Sequence, residues 1–165
     1  MIIVEQRLSD VFDQLPAIDG FKPVYKWGNE YHLLAQLKAF ADSKKTPYPL
    51  IYQTSNQSHQ FEQGGEECTT RLRLVLACQN TMTELLNENR WAMSYRNILF
   101  PLAQNIIKAF NRAGIFYWEK EYDLTEFPNY GAGEENHTSD IWDALVFEAD
   151  LRIDANCIQT INFNF

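Results

Sequence analysis

The side chains of this chain that are best suited to chemistry are few and scattered. Histidine, which ligates metals and moves protons near neutral pH, occurs at His32, His59 and His137. None has a ligand-spaced partner, and the best metal candidate is the group Glu134, Glu135, His137, Asp140 and Asp143. Carboxylates with one imidazole are a donor set for a hard or borderline cation. Acidic runs in glycine-bearing loops usually face solvent, however, and the expectation is a bare polar loop with no metal. Gly131 and Gly133 lack the third glycine and the preceding strand that a dinucleotide fingerprint needs. Ser94, Ser139 and the cysteines have no adjacent base, and there is no nucleophile elbow or phosphate-cradling loop. Asn136-His137-Thr138 is a glycosylation sequon in form only. No catalytic residue, metal or cofactor is expected.

Composition narrows the class. A chain of 165 residues with 45% hydrophobic and 22% charged content is long enough for one domain with its own core, spanning residues 1–165. The formal charge of −8 disfavours general nucleic-acid binding, which needs a basic face to neutralise phosphates. Cys68, Cys78 and Cys157 are odd in number and have no close metal spacing, so a disulfide scaffold is not expected. Cys78 is expected in the core. Met1-Ile2-Ile3-Val4 meets Glu5 at once, which reads as neither a signal peptide nor a membrane span. A soluble protein made in a reducing compartment is the expectation.

The elements that must position any site are organised around residues 69–78, Thr-Thr-Arg-Leu-Arg-Leu-Val-Leu-Ala-Cys. Alternation with the period of a strand puts Leu72, Leu74, Leu76 and Cys78 on one face and Arg71, Arg73, Val75 and Ala77 on the other. Residues 140–154 alternate in the same way, with Leu145, Phe147, Ala149, Leu151 and Ile153 opposed to Ala144, Val146, Glu148, Asp150 and Arg152. Laid antiparallel, the two match on both faces. Arg71 stands against Asp150, Arg73 against Glu148, Val75 against Val146 and Ala77 against Ala144. A one-residue slip would set leucines against charges, so the pattern fixes the register.

Elsewhere, Val4, Leu8, Val11, Phe12 and Leu15 form the stripe of an amphipathic helix over residues 3–15, ended by Pro16. Residues 21–27 read as an edge strand, because Pro23 is tolerable there. Asn29 is the expected N-cap of a helix carrying Tyr31, Leu34, Leu37 and Ala41. Residues 50–53 form a short strand. A short helix or turn over 83–90 precedes a helix striped by Leu102, Ile106, Ala109 and Phe110, with Pro101 at its start or at a kink and Gly114 closing it. Residues 115–118 are a strand, with 122–125 as its continuation. Polar loops are expected at about 54–69 and 127–139, and the alternating tail 157–165 could add a last strand, to this molecule or to a neighbour. The fold class is α+β: an antiparallel sheet of four to six strands with two or three helices packed on one face.

Aromatic content exceeds catalytic content, at 11 Phe, 8 Tyr and 4 Trp. Aromatics in or beside loops, together with a charged sheet face, suit a subunit interface. The interface candidates are Phe61, Arg71, Arg73, Phe127, Tyr130, Trp142, Glu148, Asp150, Phe163 and Phe165.

The layout resembles the head-to-tail connector and tail-terminator ring proteins of tailed bacteriophages. The likeness rests on the N-terminal amphipathic helix, Pro49-Leu-Ile-Tyr52, the long loop and Thr70-Arg-Leu-Arg-Leu-Val-Leu76. It continues through Asn97-Ile-Leu-Phe-Pro-Leu102 leading into a helix, and the run from Asp140-Ile-Trp-Asp-Ala-Leu to Asp154. The style of sequence also looks like phages of Bacteroides-type hosts, the crAss-like group included. The resemblance implies a tail-terminator-like fold and a structural role in the virion, assembled in the host cytoplasm. Copies would form a homo-oligomeric ring of roughly six or twelve around a symmetry axis. The ring would contact neck, portal or tail-tube proteins, and DNA would pass through without specific binding. The two long loops would reach the next ring or subunit. Two other classes compete: a monomeric host-interaction or inhibitor protein, and a small hydrolase-type enzyme with a pocket near Trp142 and His137.

Overall fold

In the computed structural model, residues 2–43, 49–54, 58–80, 87–119, 121–130, 141–156, 158–161 and 163 are described. The order of elements is α1 (Val4–Phe12), β1 (Val24–Gly28), α2 (Glu30–Ser43), β2 (Leu50–Thr54), β3 (His59–Phe61) and β4 (Glu67–Asn80). Then come α3 (Asn87–Trp91), a π-helical stretch (Ala92–Leu99), α4 (Phe100–Arg112), β5 (Phe116–Tyr117), β6 (Asp123–Phe127) and β7 (Ile141–Asp154).

The expected ribbon is the spine of the sheet. β4 and β7 pair antiparallel along 14 residues, with Arg71 opposite Asp150, Arg73 opposite Glu148, Val75 opposite Val146 and Ala77 opposite Ala144. The main path runs β1-β2-β4-β7-β5, with β3 beside β4 and β6 beside β7. Among the described residues seven strands stand where four to six were expected, because the chain flanking the ribbon makes short extra pairings. The sheet is also not wholly antiparallel: β1 pairs with β2 in parallel. That follows from α2 lying between them, since parallel neighbours need a crossover connection where antiparallel ones need only a turn.

Helices cover both faces rather than one. On the first face, Val4, Leu8, Val11 and Phe12 of α1 join Ile98, Leu102, Ile106 and Phe110 against Leu72, Leu74, Leu76, Leu145 and Phe147. On the second, Leu33 and Leu37 of α2 pack on Leu50, Tyr52, Val75, Ala77, Trp142, Ala144 and Val146. The outer face of the ribbon was apolar at one end because α2 covers that end.

Local chemistry sets the boundaries. α1 stops at Phe12 rather than at Leu15, in tight turns closed by Gln14 N–H to Val11 O (3.1 Å) and Leu15 N–H to Phe12 O (3.0 Å). Leu15 is nonetheless fully buried. Asn29 caps α2 as expected, its Oδ1 accepting from the His32 N–H at 2.8 Å. Pro101 stands in the first turn of α4, as expected. Upstream of it the helix widens into the π-helical stretch, whose end is closed by the Phe100 N–H donating to Tyr95 O. In a tight α-helix the proline ring would meet the carbonyl four residues back, and the wider turn takes that carbonyl out of its path. Gly114 follows α4 with φ of +74°, the left-handed conformation of a C′ residue.

Of the expected loop over 54–69, the second part is a hairpin, with His59–Phe61 pairing Cys68–Thr70. Residues 55–57 lie outside the described residues, as do 131–140 of the second loop. The described part of the tail adds no strand. It lies against its own molecule, with Gln159 N–H bonded to Ala113 O (2.9 Å), Ile161 N–H to Gln14 Oε1 (3.0 Å) and Ile161 buried.

Candidate functional site

Past the edge of α2, the outer face of the ribbon is open and charged. Arg73 Nε lies 3.7 Å from Glu148 Oε1, and Arg152 lies 3.5 Å from Glu67 and over the Tyr117 ring. Arg71 and Asp150 face each other in register, both exposed. Arg71, Glu121, Tyr122, Asp123, Glu148, Ala149 and Asp150 surround a recess of about 390 Å³.

A break in the edge strand produces that recess. Tyr117 pairs with Arg152 and Asp123 with Glu148. From Tyr117 to Asp123 is six steps along the edge and from Arg152 to Glu148 four along β7, an excess of two. Trp118 and Tyr122, four apart, both turn to the core face, 6.4 and 5.5 Å from the Phe147 ring. The recess lies beside the same interval of β7, at Glu148, Ala149 and Asp150.

The remaining interface candidates divide by exposure. Phe61, at the end of β3, and Phe127, at the end of β6, are exposed. Tyr130 is half-buried, with its ring edge-on to Phe127 at 6.2 Å and its hydroxyl donating to Glu30 at 3.0 Å. Burial, and then Glu30, push its pKa up to about 12. Trp142 is only 1% exposed, enclosed beneath α2, so in this state it offers no surface to a partner. The alternation did place it on the outer face; what it did not reveal was the helix lying over that face. Phe163 packs on its own core. Phe165 lies outside the described residues.

Of the acidic loop residues, Glu134, Glu135, His137 and Asp140 also lie outside the described residues. Asp143 is fully buried on the first face of β7. It accepts from Arg90 Nε (3.1 Å), Ser94 Oγ (2.6 Å), Asn80 Nδ2 (3.1 Å) and the Asn129 N–H (3.4 Å), and Arg90 Nη2 closes a second contact. Burial alone would raise its pKa, but the bonds from Arg90, Ser94 and Asn80 outweigh it and hold the carboxyl below its ordinary value. The same cluster contains Cys78, whose pKa burial pushes up to about 12, so it is an inert thiol rather than a nucleophile. This knot ties β4 and β7 to α3 and the π-helical stretch. A sequence signal for it existed: Arg90 and Ser94 are four apart, one helical turn, and Asp143 falls on the buried face of its strand. No group of three His, Cys, Asp or Glu converges to hold a metal among the described residues.

The two borders of the sheet differ in chemistry. At β1, the Val24 N–H donates to Pro49 O at 2.9 Å. Val24, Lys26 and Gly28 therefore turn their main chain to β2, and Tyr25 and Trp27 turn theirs outward. A second recess of about 390 Å³, lined by Ile3, Glu5, Gln6, Ser9, Tyr25, Lys26 and Trp27, opens beside this edge. Trp27 and Ile3 are 60% and 65% exposed there.

At the other border, Asp154 N–H to Ile115 O and Tyr130 N–H to Trp142 O put the main chain of even-numbered β7 residues toward β5 and β6. Asp123, Thr125 and Phe127 answer them, leaving the main chain of Leu124 and Glu126 facing outward. This edge is acidic, with exposed Asp123, Glu126 and neighbouring Glu121. β1 instead presents an exposed lysine, Lys26.

No protein-family model matches the chain, and no curated protein matches it in sequence. No helix among the described residues is long and apolar enough to cross a membrane. The geometry therefore has to be read for what it can bind.

Proposed function

We propose that this chain is a structural subunit of a closed ring in a tailed-phage neck or tail. It would join or terminate the tail tube there and leave a channel for DNA. The observation that supports the reading best is the pair of unlike sheet borders. A closed ring needs two different, complementary surfaces on each subunit, and two strand edges with outward main-chain groups and unlike charge meet that need. The likeness in sequence layout to connector and terminator proteins supplies the phage setting. The net charge of −8 suits a conduit that must not hold DNA by its phosphates. Phe61, on its hairpin, and Phe127 are exposed aromatics suited to contact an adjacent portal, neck or tube protein. The role is mechanical and needs no cofactor.

Light scattering over a concentration series, alone and with a co-expressed portal or tail-tube protein, tests this reading. Recruitment into a closed species of roughly six or twelve copies is the expected result. A chain that stays monomeric under every condition overturns it.

A further inference from the structure

We infer that copies join by adding β1 of one subunit to β6 of the next, antiparallel, with Lys26 of the next copy opposite Thr125. The inference rests on the ring reading above and specifies its joint.

Strand direction follows from the topology. β1 is parallel to β2, β2 antiparallel to β4, and β4 antiparallel to β7, so β1 and β7 run the same way. β6 opposes β7, and therefore opposes β1. Rotation about a ring axis keeps each subunit's strand direction relative to that axis, so a neighbour's β1 meets β6 antiparallel.

Register follows from the outward main-chain groups. Among the described residues, the main chains of Tyr25 and Trp27 face outward on one edge and those of Leu124 and Glu126 on the other. Both can be used together antiparallel in one way: Tyr25 opposite Glu126 and Trp27 opposite Leu124, each pair exchanging two hydrogen bonds.

The faces then agree without adjustment. Rotation turns the same face of every subunit toward the axis. Tyr25 and Leu124 pack on the core of the first face, so their faces coincide across the joint. On the opposite face Val24 meets Phe127, and Lys26 lies diagonal to Asp123, beside the acidic recess. Diagonal neighbours of this kind are about 7–8 Å apart, within reach of a lysine. Exposed Trp27 would be covered by Leu124, which accounts for a large apolar side chain left in solvent at a sheet edge.

The test is a disulfide across the joint. Lys26 and Thr125 would form a non-hydrogen-bonded pair with Cα atoms about 4.5 Å apart, inside the range a disulfide spans. A chain carrying both Lys26→Cys and Thr125→Cys should link into multimers under mild oxidation. A control with Trp27→Cys and Thr125→Cys sets the thiols on opposite faces and should not. Both positions of the test pair are exposed, and circular dichroism checks that each variant is folded. Multimers that include a covalently closed species support the joint and the ring. An open ladder that never closes supports the joint and overturns the ring. Wild-type protein that assembles while the folded Lys26/Thr125 pair fails to link overturns the joint alone. Monomer throughout, with no linkage, overturns both.

Discussion

Arg90 and Asp143, 53 residues apart in the chain, close a two-pronged ion pair in which Asp143 is fully buried and the Arg90 side chain 15% exposed. Their union fixes where α3 meets the beginning of β7. Removing one partner leaves the other charged in a place water barely reaches, and such losses cost about 3–5 kcal/mol. Asp143→Ala should therefore be among the most destabilising single changes in the chain, measured by urea unfolding. A loss under 1 kcal/mol, well short of that estimate, would mean that the knot adds little to stability.

The same pair sets an acid limit. The folded-state pKa of Asp143 lies below the ordinary carboxylate value of 3.8, so its stabilisation is present above that value and lost as pH falls through the folded one. Among the groups facing it, Cys78 and Tyr95 stay protonated, their pKa values raised by burial. Thermal melting of the wild type should drop as pH falls below about 4, and that part of the drop should be absent in Asp143→Ala. Parallel curves for the two proteins would exclude Asp143 as the source.

Trp142 fills the space beneath α2. Its indole N–H has no partner among the described residues, so the residue stabilises by packing and not by hydrogen bonding. Trp142→Ala should cost about 3–5 kcal/mol, and Trp142→Phe clearly less, since no bond is broken. Equal losses in both variants, read by denaturant titration, would point to a bond at the indole nitrogen.

Arg73 and Glu148 face each other across the ribbon with side chains 30% and 33% exposed. Solvent screening limits such pairs, and a double-mutant cycle to alanine should give a coupling below about 1 kcal/mol. A larger value in monomeric protein would make this contact a genuine stabiliser of the sheet.

How much of this was legible in the sequence depended on how local the signal was. The β4–β7 register was legible because alternation and charge matching act residue by residue along both strands. The parallel direction of β1 was not, because it depends on where α2 sends the chain, and no period within residues 21–27 encodes that. Asp143 was grouped with Glu134, Glu135, His137 and Asp140 by proximity in sequence. Its strand phase puts it instead on the core face, opposite Cys78. Trp142 was read as a surface residue for the related reason that the helix covering it comes from a distant part of the chain. The edge bulge was half visible, as a strand over 115–118 with a continuation at 122–125. Its two-residue excess depends on pairing to β7 and leaves no mark in composition.

The ribbon also gives the molecule a preferred direction of strength. Tension applied along β4 and β7 must shear 14 rungs at once, because their paired residues all resist the same displacement. β1 and β6 carry five rungs each at the borders, and a pull across the sheet peels those one after another. Under load the borders would yield long before the ribbon, leaving the ribbon intact while the margins open and re-form.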